Sequence, residues 1–195
     1  EIMLSRIILA ANRKDRKQLL DKNHEQPLVE PSNIDEDTVK ASLLRDKVSP
    51  EIISKNLAEL KANKISGRKI DEIVLGADSV IDLDGELISK PDNREKALTI
   101  LKKLNGKVHQ LISSVCISKN GSMIWNYTDI AKLTMKSFSN RELEEYLDKI
   151  PDEALYSYNV YQIEGVGRSL FSKIQGDENT IMGLPINKIK EYLKN

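Results

Sequence analysis

Residues 73–80 read IVLGADSV, an apolar run that contains one carboxylate, Asp78. A continuous apolar run of this length predicts a buried strand, interrupted at Asp78. A carboxylate in such a place is costly to bury, so it normally has a partner or a task. Residues at strand ends line the ligand crevice of open α/β sheets, which makes Asp78 the leading catalytic candidate. The alternative is a loop carboxylate that only caps the next turn.

Strand and helix patterns alternate on both sides of this run. Ser49-Pro50-Glu51 combines a capping residue, a proline and an acid, which indicates the start of a helix. Asn120-Gly121 is a strong hairpin signal. The predicted fold class is α/β, a mixed twisted sheet with flanking helices. Further strands are predicted at 5–11, near 29–34, and at 107–118, 123–135, 160–163 and 170–174, and helices at 15–21, 50–64, 91–104, 139–147 and 185–193.

Composition limits the classes of protein that the chain fits. Its 195 residues predict one domain over 1–195, and 30 basic against 30 acidic residues argue against a nucleic-acid polymer as partner. No apolar stretch approaches the ~20 residues of a membrane span. The apolar run 7–11 is too short for a signal peptide, so we expect a cytoplasmic protein without a membrane partner. Cys116, the single cysteine, is expected to be a buried thiol.

Several segments, taken in order, resemble the Maf family of nucleotide pyrophosphatases. The resemblance covers residues 5–193 and rests on the motifs together rather than on any one of them. It implies two lobes around a central cleft (a Maf/ITPase-like fold) and a house-cleaning enzyme that cuts a nucleoside triphosphate to the monophosphate and pyrophosphate. The segments are IILAAN at 7–12 with the basic residues after it, GADSV at 76–80, SKPD at 89–92, EG at 164–165 and MGLP at 182–185.

The resemblance also implies roles for individual residues. Asp78 would be the general base that activates water, and Glu36 would help to hold Mg²⁺ or Mn²⁺, both of which prefer carboxylate oxygens. Residue type alone allows an ordinary alternative for each of them. Lys90 fits a solvated surface lysine, Lys61 fits a lysine that snorkels from an apolar helix face, and residues 35–37 fit a plain acidic loop. The residues implied to bind substrate are Arg13, Arg16, Lys61, Ser79, Lys90 and Glu164.

The chain departs from the family pattern at two places. In the opening loop, 11–16, both family hydroxyls and one arginine are absent, although Arg13 and Arg16 keep positive charge there. Glu164 replaces a glutamine, as in the branch that hydrolyses 7-methyl-GTP. A carboxylate only accepts hydrogen bonds, which suits the N–H donors of guanine. Ser79 is closer to the threonine of the dTTP/UTP branch.

Three hypotheses remain open at this stage. The first is the pyrophosphatase, and the second is a nucleotide-binding regulator of cell division that kept the fold and lost turnover, which the altered opening loop favours. The third is an unrelated interaction domain with fortuitous motif matches. The resemblance is compatible with a homodimer. His109 is expected to hydrogen-bond to a neighbouring turn rather than to do chemistry, and the chain's two histidines do not predict a histidine metal site.

Overall fold

A computed structural model describes residues 2–11, 28–158, 160, 161, 163 and 165–195. Short 3₁₀ helices cover Leu4–Arg6 and Val166–Leu170. Within these ranges no helix is long and apolar enough to cross a membrane. The strands are β1 (Ile8–Leu9), β2 (Leu28–Val29), β3 (Val74–Leu83), β4 (Glu86–Ile88), β5 (Val108–Lys119), β6 (Ser122–Met135) and β7 (Phe171–Gln175). The α-helices are α1 (Glu36–Arg45), α2 (Pro50–Ser66), α3 (Arg94–Leu104), α4 (Asn140–Asp148), α5 (Asp152–Tyr158), α6 (Glu178–Ile181) and α7 (Ile186–Leu193).

The strands form one mixed sheet in the order β2-β1-β3-β5-β6-β7, with β4 also paired to β3. β1 is parallel to β2 and β3, and the other pairs are antiparallel. The mixed α/β fold class is therefore confirmed. β5 pairs with β3 along nearly its whole length, but on the other edge the pairing with β1 stops at Leu75 and the pairing with β4 starts at Ile81. In the described chain, residues 76–80 thus have no strand partner on that edge, which we call the open edge of β3.

Hydrophobic cores lie at both ends of the long strands. In one core, α3, α4, β4 and the 3₁₀ helix Val166–Leu170 pack around buried residues such as Ile81, Leu101 and Leu133. At the other end, α7 covers buried residues such as Leu75 and Ile117, and α2 covers Val74 and Cys116. The open edge of β3 lies between the two cores, so the packing leaves a site at the middle of the strand rather than at its end.

Local signals fix several boundaries as predicted. Ser49 accepts a hydrogen bond from the Ile52 amide at the start of α2, which confirms the predicted cap. Ser139 forms a capping box with Glu142 at the start of α4. Asn120 and Gly121 take positive φ angles of 51° and 84° in the β5–β6 hairpin, as a type I′ turn requires.

Other predictions were wrong. β3 is not broken at Asp78, because pairing with Ser114 of β5 carries the strand through the carboxylate to Leu83. Val160, Tyr161 and Ile163 lie in no strand, although all three are buried.

Several predicted boundaries also moved. β1 has two residues because a 3₁₀ helix precedes it, and β2 ends before Pro31. Helix α3 begins at Arg94, since the Asn93 side chain accepts from the Lys96 amide and caps it there. The helix predicted at 15–21 lies outside the described residues.

Candidate active site

Asp78 occupies the middle of the open edge of β3. Its side chain is 6% exposed, and its backbone carbonyl accepts a hydrogen bond from the Ser54 hydroxyl at 3.0 Å. Ser54 lies on helix α2, which packs against this face of β3. The carboxylate is therefore held on a rigid strand beneath a helix, and not on a loop.

The ammonium group of Lys61, on α2, is the counter-charge of this carboxylate. Its Nζ lies 3.4 Å from Asp78 Oδ1, donates to the Ala77 carbonyl at 3.0 Å, and lies 2.6 Å from Glu36 Oε1. The Lys61 side chain is only 12% exposed, unlike a snorkelling lysine with its ammonium in water. Three of the predicted site residues, from α1, α2 and β3, thus meet at one ammonium group.

Gly76 allows α2 to approach β3 closely enough for this meeting. A Cβ at Gly76 would lie 2.8 Å from the backbone nitrogen of Ala62 and closer still to the backbone oxygen of Ala58. Real side chains do not tolerate such contacts with backbone, so the helix would have to move away. Glycine at 76 therefore sets the distance between the helix that carries Lys61 and the strand that carries Asp78.

Glu36 stands in the first turn of α1, after Asp35, whose side chain accepts from the Thr38 amide and caps the helix. Burial alone would raise the pKa of Glu36, but the neighbouring ammonium groups of Lys61, Lys40 and Lys90 lower the pKa overall. The side chain is 41% exposed. Glu36 is therefore an ionised carboxylate that solvent and ions can reach.

Lys90 is exposed and follows β4, in the loop before α3. It is near enough to Glu36 to lower the pKa of that carboxyl group. Lys40, which the sequence reasoning missed, acts on Glu36 in the same way from one turn further along α1. The described site therefore combines two carboxylates with three ammonium groups.

Ser79 faces the other side of the sheet from Asp78, as strand alternation requires. Its hydroxyl lies 2.9 Å from the Ser113 hydroxyl, and Ser113 in turn donates to the Thr180 carbonyl at 2.8 Å. Because Ser113 has a single hydrogen and gives it to that carbonyl, Ser79 must be the donor to Ser113. The half-buried Ser79 oxygen therefore offers only lone pairs to a ligand. The structure does not group Ser79 with Asp78, Lys61 and Glu36.

His109 is buried away from this cluster. Its Nε2 lies 2.8 Å from the Tyr161 hydroxyl, and its ring packs against Tyr161 and Phe171. Burial lowers the pKa of His109 to about 4, so the imidazole is neutral at physiological pH. The expected hydrogen bond is present, although its partner is 52 residues away and not a neighbouring turn.

Arg13, Arg16 and Glu164 lie outside the described residues, so their predicted roles stay predictions. Sequence reasoning also missed Ser54. Ser54 and Lys61 are seven residues apart in α2, two helical turns, and both contact the segment 77–78. That spacing is a signal the sequence did contain, because it places a hydroxyl and an ammonium on one face of an amphipathic helix.

The donor set fits a hard divalent cation that shares its ligands with a substrate. Among the described residues no cluster of three or more His, Cys, Asp or Glu side chains could hold a metal ion by itself. Mg²⁺ typically binds one or two carboxylates and takes its other ligands from phosphates and water. Glu36 and Asp78 are two carboxylates that converge on one position, that of the Lys61 ammonium. They suit such an ion only when a phosphate ligand is also present.

The sequence comparisons with known proteins agree with one another. A family model described as Maf-like protein matches residues 6–195. A curated relative from Pelagibacter ubique, named nucleoside triphosphate pyrophosphatase, is 69% identical and covers 98% of both chains. A Brucella abortus protein named 7-methyl-GTP pyrophosphatase is 35% identical over 94% of this chain and 92% of its own. The solved structure of the Staphylococcus aureus Ham1 protein aligns with a TM-score of 0.46 and 14% identity, over 96% and 97% of the two chains.

Proposed function

Because the chain belongs to the Maf-like protein family, we propose that it hydrolyses a nucleoside triphosphate between the α- and β-phosphates. The products are a nucleoside monophosphate and pyrophosphate. The observation that carries the proposal is the ion-pair cluster at the open edge of β3, where Lys61 contacts both Asp78 and Glu36. Phosphoanhydride hydrolysis needs an oriented water, a metal ion and neutralised phosphate charge, and this cluster contains a group suited to each.

In the proposed reaction Asp78 acts as general base. It takes a proton from the attacking water while the water oxygen bonds to a phosphorus atom of the α–β bridge. The bridging P–O bond then breaks and its electron pair leaves with one of the two products. Lys61 and Lys90 neutralise charge on the phosphate oxygens, and Arg13 and Arg16 are proposed to add to this from the opening loop.

The proposed cofactor is Mg²⁺ or Mn²⁺. Glu36 would hold the ion, with Asp78 beside it, and the bound ion would neutralise the charge of the phosphates. Glu36 suits this role because it is ionised and half-exposed at the same time.

For the nucleobase we propose 7-methyl-GTP or another modified nucleotide. Glu164 would accept hydrogen bonds from the base edge. A carboxylate only accepts hydrogen bonds, so it favours a base that presents N–H donors. A relative named for 7-methyl-GTP supports the same preference, although the 69% identical relative is named for nucleoside triphosphates in general.

The test is pyrophosphate release from 7-methyl-GTP, GTP, dTTP, UTP, CTP and ATP with Mg²⁺ or Mn²⁺. We expect turnover on at least one substrate and a loss of about 10²–10⁴-fold in Asp78→Asn, the range for removal of a general base. Asp148→Asn, at the exposed end of α4, makes the same chemical change outside the site and should keep full activity. Nucleotide binding without turnover on any substrate would support the regulator instead, and equal turnover in wild type and Asp78→Asn would rule out this role for Asp78.

A further inference from the structure

Lys61 is already the cation for both carboxylates of the site. An ammonium group has three N–H donors, and three acceptors surround this one: the Ala77 carbonyl at 3.0 Å, Asp78 Oδ1 at 3.4 Å and Glu36 Oε1 at 2.6 Å. The two carboxylate oxygens therefore converge on a position that a compact positive charge fills. A free divalent cation that approaches Glu36 finds the Lys61 ammonium already bound to that carboxylate.

We propose that Lys61 is an internal placeholder for the divalent cation. In the nucleotide-free protein it holds Glu36 and Asp78, and it turns to the phosphates of an incoming nucleotide, which releases Glu36 to the metal. The inference rests on the proposed function for the identity of nucleotide and metal. It adds an order of loading, in which the cation binds together with the nucleotide and not before it.

The charges around Glu36 favour this order. Lys40 and Lys90 act on Glu36 together with Lys61, so three ammonium groups act on that one carboxylate. These positive charges oppose a free dication at Glu36 and attract a polyphosphate anion. The site is thus suited to the anion first, and the anion brings the negative charge that the cation needs.

The geometry also permits the exchange. The Lys61 stem is buried, which anchors the side chain on α2 while its terminal ammonium exchanges the carboxylates for phosphate oxygens. Glu36 is 41% exposed, so an ion can reach its carboxylate from solvent. Rotation of the last bonds of one flexible side chain therefore accomplishes the exchange without a movement of α2 or β3.

The test measures Mn²⁺ binding to the full chain without nucleotide, by the loss of the electron paramagnetic resonance signal of free Mn²⁺. Lys61→Met removes the placeholder, and we expect Mn²⁺ to bind about tenfold more tightly, because loss of even a water-screened ion pair approaches that factor. Lys55→Met is the matched control. It removes the same charge from the same helix, where Lys55 pairs only with Glu51 among the described residues, and should bind Mn²⁺ like the wild type.

Equal or weaker Mn²⁺ binding by folded Lys61→Met would overturn the proposal, as would equally tight binding by Lys55→Met. If Lys61→Met does not fold, the wild type answers the same question. The NMR signal of the Lys61 Nζ group should stay unchanged with Mg²⁺ alone and shift when Mg²⁺ and a methylene-bridged nucleotide analogue are both present. A saturable shift with Mg²⁺ alone would refute the order of loading.

This experiment separates the placeholder from the proposed function. Nucleotide-free Mn²⁺ binding requires no turnover, so a chain that releases no pyrophosphate can still show the tighter binding of Lys61→Met. Conversely, an active enzyme whose Lys61→Met variant binds free Mn²⁺ no better than wild type would keep the proposed function and lose the placeholder.

Discussion

Asp78 and His109 are both buried ionisable residues on neighbouring long strands, at 4% and 1% exposure, yet their surroundings differ in kind. Asp78 meets an ammonium group from a helix, which also holds a second carboxylate from another helix. His109 meets a phenol hydroxyl and the rings of Tyr161 and Phe171. The first residue lies at the open edge of β3, and the second lies inside a core.

The comparison shows what distinguishes a candidate site from a buried polar group of the core. Burial disfavours the charged form of any ionisable group. At His109 nothing opposes that effect, and the residue is neutral. At Glu36 the ammonium groups of Lys61, Lys40 and Lys90 offset it, and Lys61 also lies 3.4 Å from Asp78 Oδ1. Convergence of charges from separate elements, and not burial itself, is the feature that indicates function.

The largest effect that we expect from this comparison is at His109, which should make the stability of the protein depend on pH. Its folded pKa of about 4 is below the ordinary 6.5, so the unfolded chain takes up a proton that the native protein does not. The contribution of His109 to the free energy of unfolding is constant above pH 6.5 and falls as the pH drops towards 4. It amounts to about 3 kcal/mol in total, since each pKa unit is worth about 1.4 kcal/mol. Urea denaturation of wild type and His109→Gln at pH 7.5 and 4.5 measures it.

We expect His109→Gln to lose less stability between these two pH values than the wild type, because every other titrating group is common to both chains. The variant should also keep its pyrophosphatase turnover at neutral pH. Equal pH dependence in both chains would show that His109 is charged or exposed in the native protein. Loss of turnover without loss of fold would place His109 among functional residues and break the comparison.

The parts of the fold that local chemistry determines were predictable from sequence. Ser49-Pro50 begins a helix because a hydroxyl and a fixed φ satisfy the first turn, and Asn120-Gly121 turns a hairpin because both residues accept positive φ. These signals need no tertiary information, and the structure confirms them.

The wrong predictions depend on distant partners. The strand does not break at Asp78 because β5 supplies its ladder and Lys61 its counter-charge, and neither is visible in residues 73–80. The strand predicted at 160–163 is absent, although these residues are apolar. Tyr161 is instead fixed by His109, 52 positions away. An apolar run predicts burial reliably, but it does not say which secondary structure is buried.

The site shows the same division. A resemblance to a family indicated Asp78, Lys61 and Glu36, whereas residue type alone left each of them with an ordinary alternative. Their meeting depends on where β1 ends and where β4 begins, and therefore on strand register. The face that Ser79 shares with Ser113 also follows only from the register of β3 with β5.

Gly76→Ala tests whether the ion-pair cluster of Asp78, Lys61 and Glu36 depends on the close approach of α2 to β3. The new Cβ would meet the backbone of Ala58 and Ala62, so we expect a loss of about 2 kcal/mol in the free energy of unfolding, within the usual range for overpacking. Lys61 should move with the helix, and turnover should fall further than the loss of folded protein explains. Urea denaturation and pyrophosphate release measure the two effects.

Gly67→Ala is the matched control. Gly67 follows α2 with a right-handed helical backbone (φ −67°), and its nearest atom to a new Cβ lies at 3.3 Å. A Gly-to-Ala change at such a position should alter stability by less than about 1 kcal/mol and leave turnover intact. If both variants behave alike, the spacing between helix and strand does not depend on Gly76.

The smallest effect concerns the neutral pair in the core. Tyr161→Phe removes the hydroxyl at 2.8 Å from His109 Nε2 and leaves that nitrogen without this partner, which should cost about 1 kcal/mol. Tyr156→Phe is the control, because Tyr156 is 40% exposed and its hydroxyl can bond to water. Neither variant should change turnover, since neither residue contacts Asp78, Lys61 or Glu36 in the described contacts. A drop in turnover with Tyr161→Phe alone would mean that the core pair and the charged site are coupled, and that the distinction between them is one of degree.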